Sequence, residues 1–262
     1  MGVKKPSESP PLFPRHNILG VAISAINMQD ALTTIRGWVE REEPNYVCVT
    51  PAHAVMECVK DGGLRPVYNQ AGLVTPDGMA IVWLLKLAGF SRVNRVYGPD
   101  LLRAVCAESL SRGWRHYFFG GAPQVTERLV ARLRGGFPGL QVAGWDCPAF
   151  EGFDAAQEAA AIERIRESKA DIVWVALGSP RQERWMAENY RRCGGVLVGV
   201  GAAFDFLSGN KPQAPRWMQR AGLEWLFRLA SEPRRLWRRY LQYPRFVWLV
   251  FLQRLGLRKF PV

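Results

Sequence analysis

The chain is poor in cysteine, and none of its five (Cys48, Cys58, Cys106, Cys147, Cys193) stands in a C-x-x-C pair. Wide spacing and an odd number exclude a disulfide framework, give no zinc ligand set and point to a reducing cytosolic setting. Asp-x-Asp occurs nowhere, so a paired-carboxylate site for a divalent cation is not expected, and neither metal nor cofactor is called for. No predicted strand is followed by G-x-G-x-x-G, which argues against a dinucleotide-dependent oxidoreductase. Long apolar runs are also missing. The longest, residues 246–252, lies between Arg245 and Arg254 and falls far short of the roughly 20 residues that cross a bilayer. The first 17 residues hold Pro6, Pro10, Pro11 and Pro14 but no apolar core of a signal peptide, and read as a flexible arm.

What is present is a chain of 262 residues, 48% hydrophobic and 22% charged, enough for one large folded domain with an appendage. Its net charge of +12 is concentrated at one end: from Lys211 onward twelve Lys and Arg face only Glu224 and Glu232, a local +10. A nearly neutral body with a basic tail favours a local anionic partner, such as a membrane face or a phosphorylated substrate, over a nucleic-acid binder with a basic surface throughout.

Short β-rich runs at 46–50, 73–75, 116–119, 141–144, 172–177 and 196–200 alternate with helical stretches at 28–41, 52–59, 78–87, 101–112, 123–134, 155–168 and 180–190. The alternation predicts an α/β fold, a Rossmann-like and mostly parallel sheet with helices on both faces, over residues 18–208. Residues 209–262 read as a helical, Arg/Trp-rich appendage. Opened by Pro233, one helix sets Leu236, Trp237, Tyr240 and Leu241 on one arc and Arg234, Arg235, Arg238 and Arg239 on the other. Such a helix either packs its apolar face on the body or lies on a membrane.

Ligands of open parallel sheets bind at the carboxyl ends of strands, so the residues there carry the candidate chemistry. Asp77, in Thr-Pro-Asp-Gly, is either a turn or helix-capping residue or a general base for a sugar hydroxyl. Gly120-Gly121 and Gly178-Ser179-Pro180 each bring a flexible turn to a helix start where free N–H groups suit phosphate, although such glycines are also ordinary connectors. Gln182 has a side chain suited to a nucleotide, and Glu183 suits the helix dipole. His53 is a surface histidine or a ligand contact; Asp205 is a helix cap or a ribose contact.

Six ordered motifs resemble those of one family: Leu73-Val-Thr-Pro-Asp-Gly78, Arg95-Val-Tyr-Gly-Pro-Asp-Leu101, Phe118-Phe-Gly-Gly121, Val175-Ala-Leu-Gly-Ser-Pro-Arg-Gln-Glu183, Gly199-Val-Gly-Ala-Ala-Phe-Asp205, and Gly222-Leu-Glu-Trp-Leu-Phe-Arg-Leu229 with Glu232-Pro-Arg-Arg235. They look like the WecG/TagA/CpsF glycosyltransferases. The resemblance implies inverting, metal-independent transfer of an N-acetylmannosamine-type sugar from UDP to the 4-hydroxyl of GlcNAc on undecaprenyl diphosphate, by an enzyme peripheral to the inner face of the cell membrane. It assigns Asp77 as base, Thr50 and Gln182 as active-site polar residues, Asp205 as nucleoside contact, and Arg228, Arg235 and Arg238 as arginines closing over a diphosphate. Ala52, followed by His53, departs from the Asn that many members carry after Thr-Pro. The expected partners are a UDP-sugar, a lipid-linked acceptor and an anionic membrane surface, with a homo-oligomer left open and no nucleic acid.

Overall fold

The computed structural model describes residues 12–148 and 154–262. Residues 1–11 of the expected arm lie outside them, but pairing begins inside its last part, at Arg15. Arg15–Ile18 (β1) and Val21–Ser24 (β2) form an antiparallel hairpin. Leu19 and Gly20 both have positive φ, 52° and 90°, the combination that a two-residue hairpin turn requires, and Asn17 Oδ1 accepts from Gly20 N at 2.7 Å.

Then follow α1 (Met28–Glu40), β3 (Asn45–Thr50), α2 (Ala52–Lys60), α3 (Leu64–Asn69), β4 (Leu73–Pro76), α4 (Met79–Leu87), α5 (Gly98–Arg112), β5 (Arg115–Gly120), α6 (Pro123–Gly136) and β6 (Gln141–Asp146). The remainder comprises α7 (Ala155–Glu167), β7 (Ile172–Ala176), α8 (Arg181–Cys193), β8 (Val196–Gly199) and α9 (Ala203–Leu207), and then helices alone: α10 (Arg216–Arg220), α11 (Glu224–Ser231), α12 (Pro233–Tyr240) and α13 (Tyr243–Arg254).

The main sheet has six strands in the order β4-β3-β8-β7-β5-β6, and every pairing in it is parallel. The strands other than the edge strand β6 are buried on both faces, so they read as largely apolar runs whose alternate residues enter two different cores. Tyr46, Cys48, Val74, Phe119, Val173, Val175 and Leu197 pack with α2, α4, α7 and α8. Val47, Val49, Phe118, Ile172, Trp174, Val196 and Val198 pack with α1, α5, α6 and α9. The edge of β4 is covered by the hairpin, with Val74 N donating to Ser24 Oγ at 3.1 Å.

From β5 the chain moves outward to β6, and from β7 it returns inward to β8, so neighbouring strands β5 and β7 part in opposite directions. A crevice opens at such a switch point, outside the carboxyl ends of the strands. Gly120 makes the approach of the two strands possible: a Cβ there would stand 2.5 Å from Ala176 O, at φ +106°.

The C-terminal helices do not behave as one unit. On α13, Phe246, Leu249 and Val250 are buried in the same core as α2 and α8, joined by Phe260 from the terminal segment. The two ends of the chain meet there. Asn17 Nδ2 donates to Phe260 O at 2.7 Å, Leu19 N to Gln253 Oε1 at 3.0 Å, and Gln253 Nε2 to Asn17 O at 3.2 Å. On α12 the apolar arc is split: Leu236 and Tyr240 are buried, whereas Trp237 and Leu241 are exposed. Among the described residues no helix is long and apolar enough to cross a membrane.

Candidate active site

A cleft of about 940 Å³ lies along the carboxyl edge of the sheet, floored by the residues after β3, β4, β5, β7 and β8 and walled on the open side by α11, α12 and α13. Asp77 follows β4 directly, its N–H bonded to Thr50 O at 3.3 Å, and the chain turns at Gly78 with φ +91°. Gly78, not Asp77, occupies the capping position of α4, and no side chain caps that helix. The carboxylate of Asp77 is therefore free of helix-capping duty and lines the cleft.

One guanidinium serves two carboxylates here. Arg95 Nε donates to Asp77 Oδ1 at 3.1 Å and Arg95 Nη2 to Glu224 Oε2 at 2.6 Å, with the three side chains only 15%, 16% and 13% exposed. The guanidinium lies over the Tyr97 ring, 3.9 Å from its centroid. Burial pushes the Asp77 carboxyl above its ordinary range, Arg95 pulls it back, and Glu224 adds to the rise.

At the start of α8, Gln182 and Glu183 are buried together, Gln182 Nε2 donating to Glu183 Oε1 at 2.8 Å. Burial raises the Glu183 carboxyl, and the Gln182 amide is foremost among the hydrogen bonds that hold it down. Gln182 Oε1 has no partner among the described residues; it is buried at the floor of the cleft, an acceptor left over for a donor group on a ligand. His53 also lines the cleft; its imidazole is held well below the ordinary pKa, first by burial and then by Arg239 and Arg228, so it is neutral at pH 7. Asp205, in the first turn of α9, accepts from Asn210 Nδ2 at 2.7 Å and has Lys211 Nζ at 3.8 Å.

The cations of the cleft divide by partner. Arg95 is shared by Asp77 and Glu224, while Lys211 and Arg235 both pair with Glu232 Oε2 at 2.8 Å. Arg228 and Arg239 face the cleft with no acidic partner among the described residues, Arg228 lying 5.4 Å from the Phe206 ring centroid with its Nε unsatisfied. Two uncompensated, half-buried guanidiniums favour an anionic ligand.

Of the residues singled out from the sequence, the cleft gathers Asp77, His53, Gly121, Gln182, Asp205, Arg228 and Arg235. Three are placed elsewhere. Thr50 is fully buried with Oγ1 donating to Cys48 O at 2.8 Å, Gly120 serves the close packing of two strands, and Arg238 lies over the outward-facing Trp237 ring at 5.3 Å. Arg239 takes the place expected of Arg238. Sequence reasoning gave no part to Arg95, Glu224 or Arg239. Arg95 stands at the head of one of the recognised motifs and Arg239 on the arginine arc of α12, so each carried a signal; the meeting of Arg95 with Glu224, 129 positions away, carried none.

An N-acetylglucosaminyldiphosphoundecaprenol N-acetyl-beta-D-mannosaminyltransferase of Bacillus spizizenii is 31% identical over 212 residues, covering 80% of each chain. A protein of the same description from Bacillus subtilis is 26% identical over 247 residues, 94% of this chain and 93% of its own. A sequence profile of glycosyl transferases matches residues 16–260, from the first hairpin to the last buried phenylalanine, and by that match the chain belongs to the WecG/TagA/CpsF family of glycosyltransferases.

Proposed function

We propose that this glycosyltransferase moves an N-acetylmannosamine-type sugar from UDP to the 4-hydroxyl of a GlcNAc carried on a polyprenyl diphosphate, in one displacement with inversion. The observation that carries the reading is a carboxylate at a strand end, Asp77, sharing one cleft with two arginines that lack acidic partners, Arg228 and Arg239. The relatives' descriptions supply the sugar and the lipid-linked acceptor.

In this mechanism Asp77 takes the proton of the acceptor hydroxyl as its oxygen attacks the anomeric carbon. The bond from that carbon to the β-phosphate oxygen breaks, and UDP departs with the electron pair. A desolvated carboxylate is a stronger base than one in water, which suits it to an alcohol proton. Arg228, Arg239 and Arg235 meet the negative charge that develops on the diphosphate, so side chains do the work that a divalent ion performs elsewhere. Asp205 is suited to the ribose hydroxyls and Gln182 Oε1 to a donor group of the nucleotide or sugar. The neutral His53, beside the Ala52 that departs from the family's usual Asn, is the residue on which we place discrimination of the donor sugar.

The acceptor's lipid implies a membrane surface. We assign that contact to the outer side of α12 and α13, where Trp237, Leu241, Val247, Trp248 and Phe251 are exposed beside Arg245, Arg254 and Arg258. We read the chain as a peripheral enzyme on the cytoplasmic face of the membrane that carries its acceptor.

The test is UDP release from a panel of UDP-sugars, with and without a lipid-diphosphate-GlcNAc acceptor, in excess EDTA. Acceptor-dependent release from an N-acetylmannosamine donor is expected. Release that ignores the acceptor, or that needs added magnesium, refutes the reading.

A further inference from the structure

The shared guanidinium has a geometry that a simple ion pair does not explain. An arginine beside an aspartate normally presents two N–H groups to both carboxylate oxygens, the bidentate fork. Here Arg95 touches Asp77 through Nε alone and on Oδ1 alone, and its Nη2 is drawn off to Glu224. Asp77 Oδ2 has no protein partner among the described residues. Tyr97 fixes the plane of the guanidinium from one side, and its hydroxyl accepts from Gln213 Nε2 at 3.2 Å.

Glu224 reaches this point from the first turn of α11, in the C-terminal helices. Those helices are pinned near the cleft by polar contacts: Arg216 of α10 makes a bidentate pair with Asp100, Nη1 to Oδ2 at 2.7 Å and Nη2 to Oδ1 at 2.9 Å. At Gly222, just before α11, a Cβ would stand 2.7 Å from the Trp83 ring. From these seated helices the carboxylate of Glu224 reaches Arg95.

We propose that Glu224 is a positioning residue which holds Arg95 on one oxygen of Asp77, leaving the other open to the acceptor hydroxyl. The inference rests on the reading of Asp77 as the base. With Glu224 absent, the fork of Arg95 is free to close on both oxygens of Asp77, which then loses its open acceptor and one neighbouring negative charge. Asp77 is faced by Arg95 and Tyr97 from the loop before α5, by Glu224 and Arg228 from α11, and by Tyr243 from α13. Of these, Glu224 supplies the negative charge that offsets Arg95. Removing it lowers the affinity of Asp77 for a proton, so a carboxylate that must be ionised to work does so at lower pH but as a weaker base.

The experiment compares pH–rate profiles of the full-length wild type, Glu224→Gln, Glu224→Asp and Asp77→Asn, with UDP affinity measured by calorimetry. Gln is close to isosteric but offers Arg95 Nη2 only a neutral acceptor, so it leaves the packing while removing the charge and weakening the hold that keeps the guanidinium off the second oxygen of Asp77. For Glu224→Gln the expected result is a kcat reduced about tenfold, an acid limb displaced to lower pH and a UDP Kd within about twofold of wild type. Glu224→Asp keeps the charge, and its acid limb is expected to stay at the wild-type position even if kcat falls. An unmoved limb in Glu224→Gln, or an equal displacement in Glu224→Asp, overturns the proposal. Asp77→Asn separates the two readings: if it is inactive while Glu224→Gln is indistinguishable from wild type, only the role of Glu224 fails, whereas full turnover by Asp77→Asn removes the base itself.

Discussion

Residues 216–240 and residues 243–262 are alike in composition, both rich in arginine and aromatic side chains, and they face different parts of the protein. The first stretch lies over the cleft: α11 has no buried residue, and Glu224, Arg228, Arg235 and Arg239 are turned to the site. The second sends Phe246, Leu249, Val250 and Phe260 into the core that β3, β7 and α8 share. A basic aromatic tail is therefore not one appendage. Its near half is loosely buried and lines the site, whereas its far half is part of the body and reaches the cleft only through the first turns of α13, at Tyr243, Phe246 and Val247.

Removing residues 241–262 gives the largest expected effect. Fully burying an aliphatic or aromatic side chain is worth about 1.5–3 kcal/mol, so losing Phe246, Leu249, Val250 and Phe260 removes an amount comparable to the roughly 5–15 kcal/mol net stability of a whole domain. Denaturant unfolding should show no cooperative transition near the wild-type midpoint; an unchanged midpoint would return α13 to the status of an ornament.

Leu249→Ala probes the same half by one side chain. A loss of about 2–5 kcal/mol in unfolding free energy is expected, with kcat/KM of the folded protein unaltered. Any drop in kcat/KM larger than the unfolded fraction accounts for would blur the division.

For the near half the contrast is between adjacent arginines. Arg239→Ala should weaken UDP binding by about 1.5–3 kcal/mol with little change in melting temperature, because its guanidinium faces the cleft unpaired, whereas Arg238→Ala should bind UDP as the wild type does. Calorimetric titration of both variants decides it, and equal losses would mean that α12 is rotated from the orientation described.

The smallest effect concerns the exposed side of α13. Arg254→Gln and Arg258→Gln should each weaken association with anionic vesicles by about 1 kcal/mol, most clearly at low salt, and leave turnover on a water-soluble acceptor unchanged. Co-sedimentation that is indifferent to both changes would detach this face from the membrane.

The sheet was legible because most of its strands are apolar runs, four of the six closed by glycine, proline or threonine, and observed boundaries such as Asn45–Thr50 and Ile172–Ala176 fall within two residues of expectation. The β1–β2 hairpin was not, since four-residue strands show too little alternation, and its turn depends on positive φ at Leu19, a residue that rarely adopts it. Helices α3 and α9 were too short to show a period. Among site residues, those after strand ends were readable because a parallel sheet puts all such ends on one edge. Choosing between Arg238 and Arg239 was not, because both lie on the polar arc and only the docked rotation of α12 decides which meets the cleft. Thr50 ends its strand as expected, yet its hydroxyl is turned back on Cys48 O, a choice of rotamer that sequence does not encode locally.

The hydrogen bonds joining Asn17 and Leu19 to Phe260 and Gln253 also govern the order of assembly during synthesis. Closing a loop of 243 positions is entropically only a little harder than closing a shorter one, but it cannot happen before residue 260 has been made. β1 and the hairpin turn thus depend on a segment far along the chain, whereas β2 is held by nearby residues, Ala22 N donating to Asn69 Oδ1 at 2.9 Å and Val74 N to Ser24 Oγ at 3.1 Å. Ser24 meanwhile shields Val74 on the outermost strand of the sheet, and an unshielded strand edge invites pairing with other nascent chains. Until residues 253–260 are in place, the hairpin that covers this edge is held by its contacts with residues 69–74, and the edge is then most open to pairing with other chains.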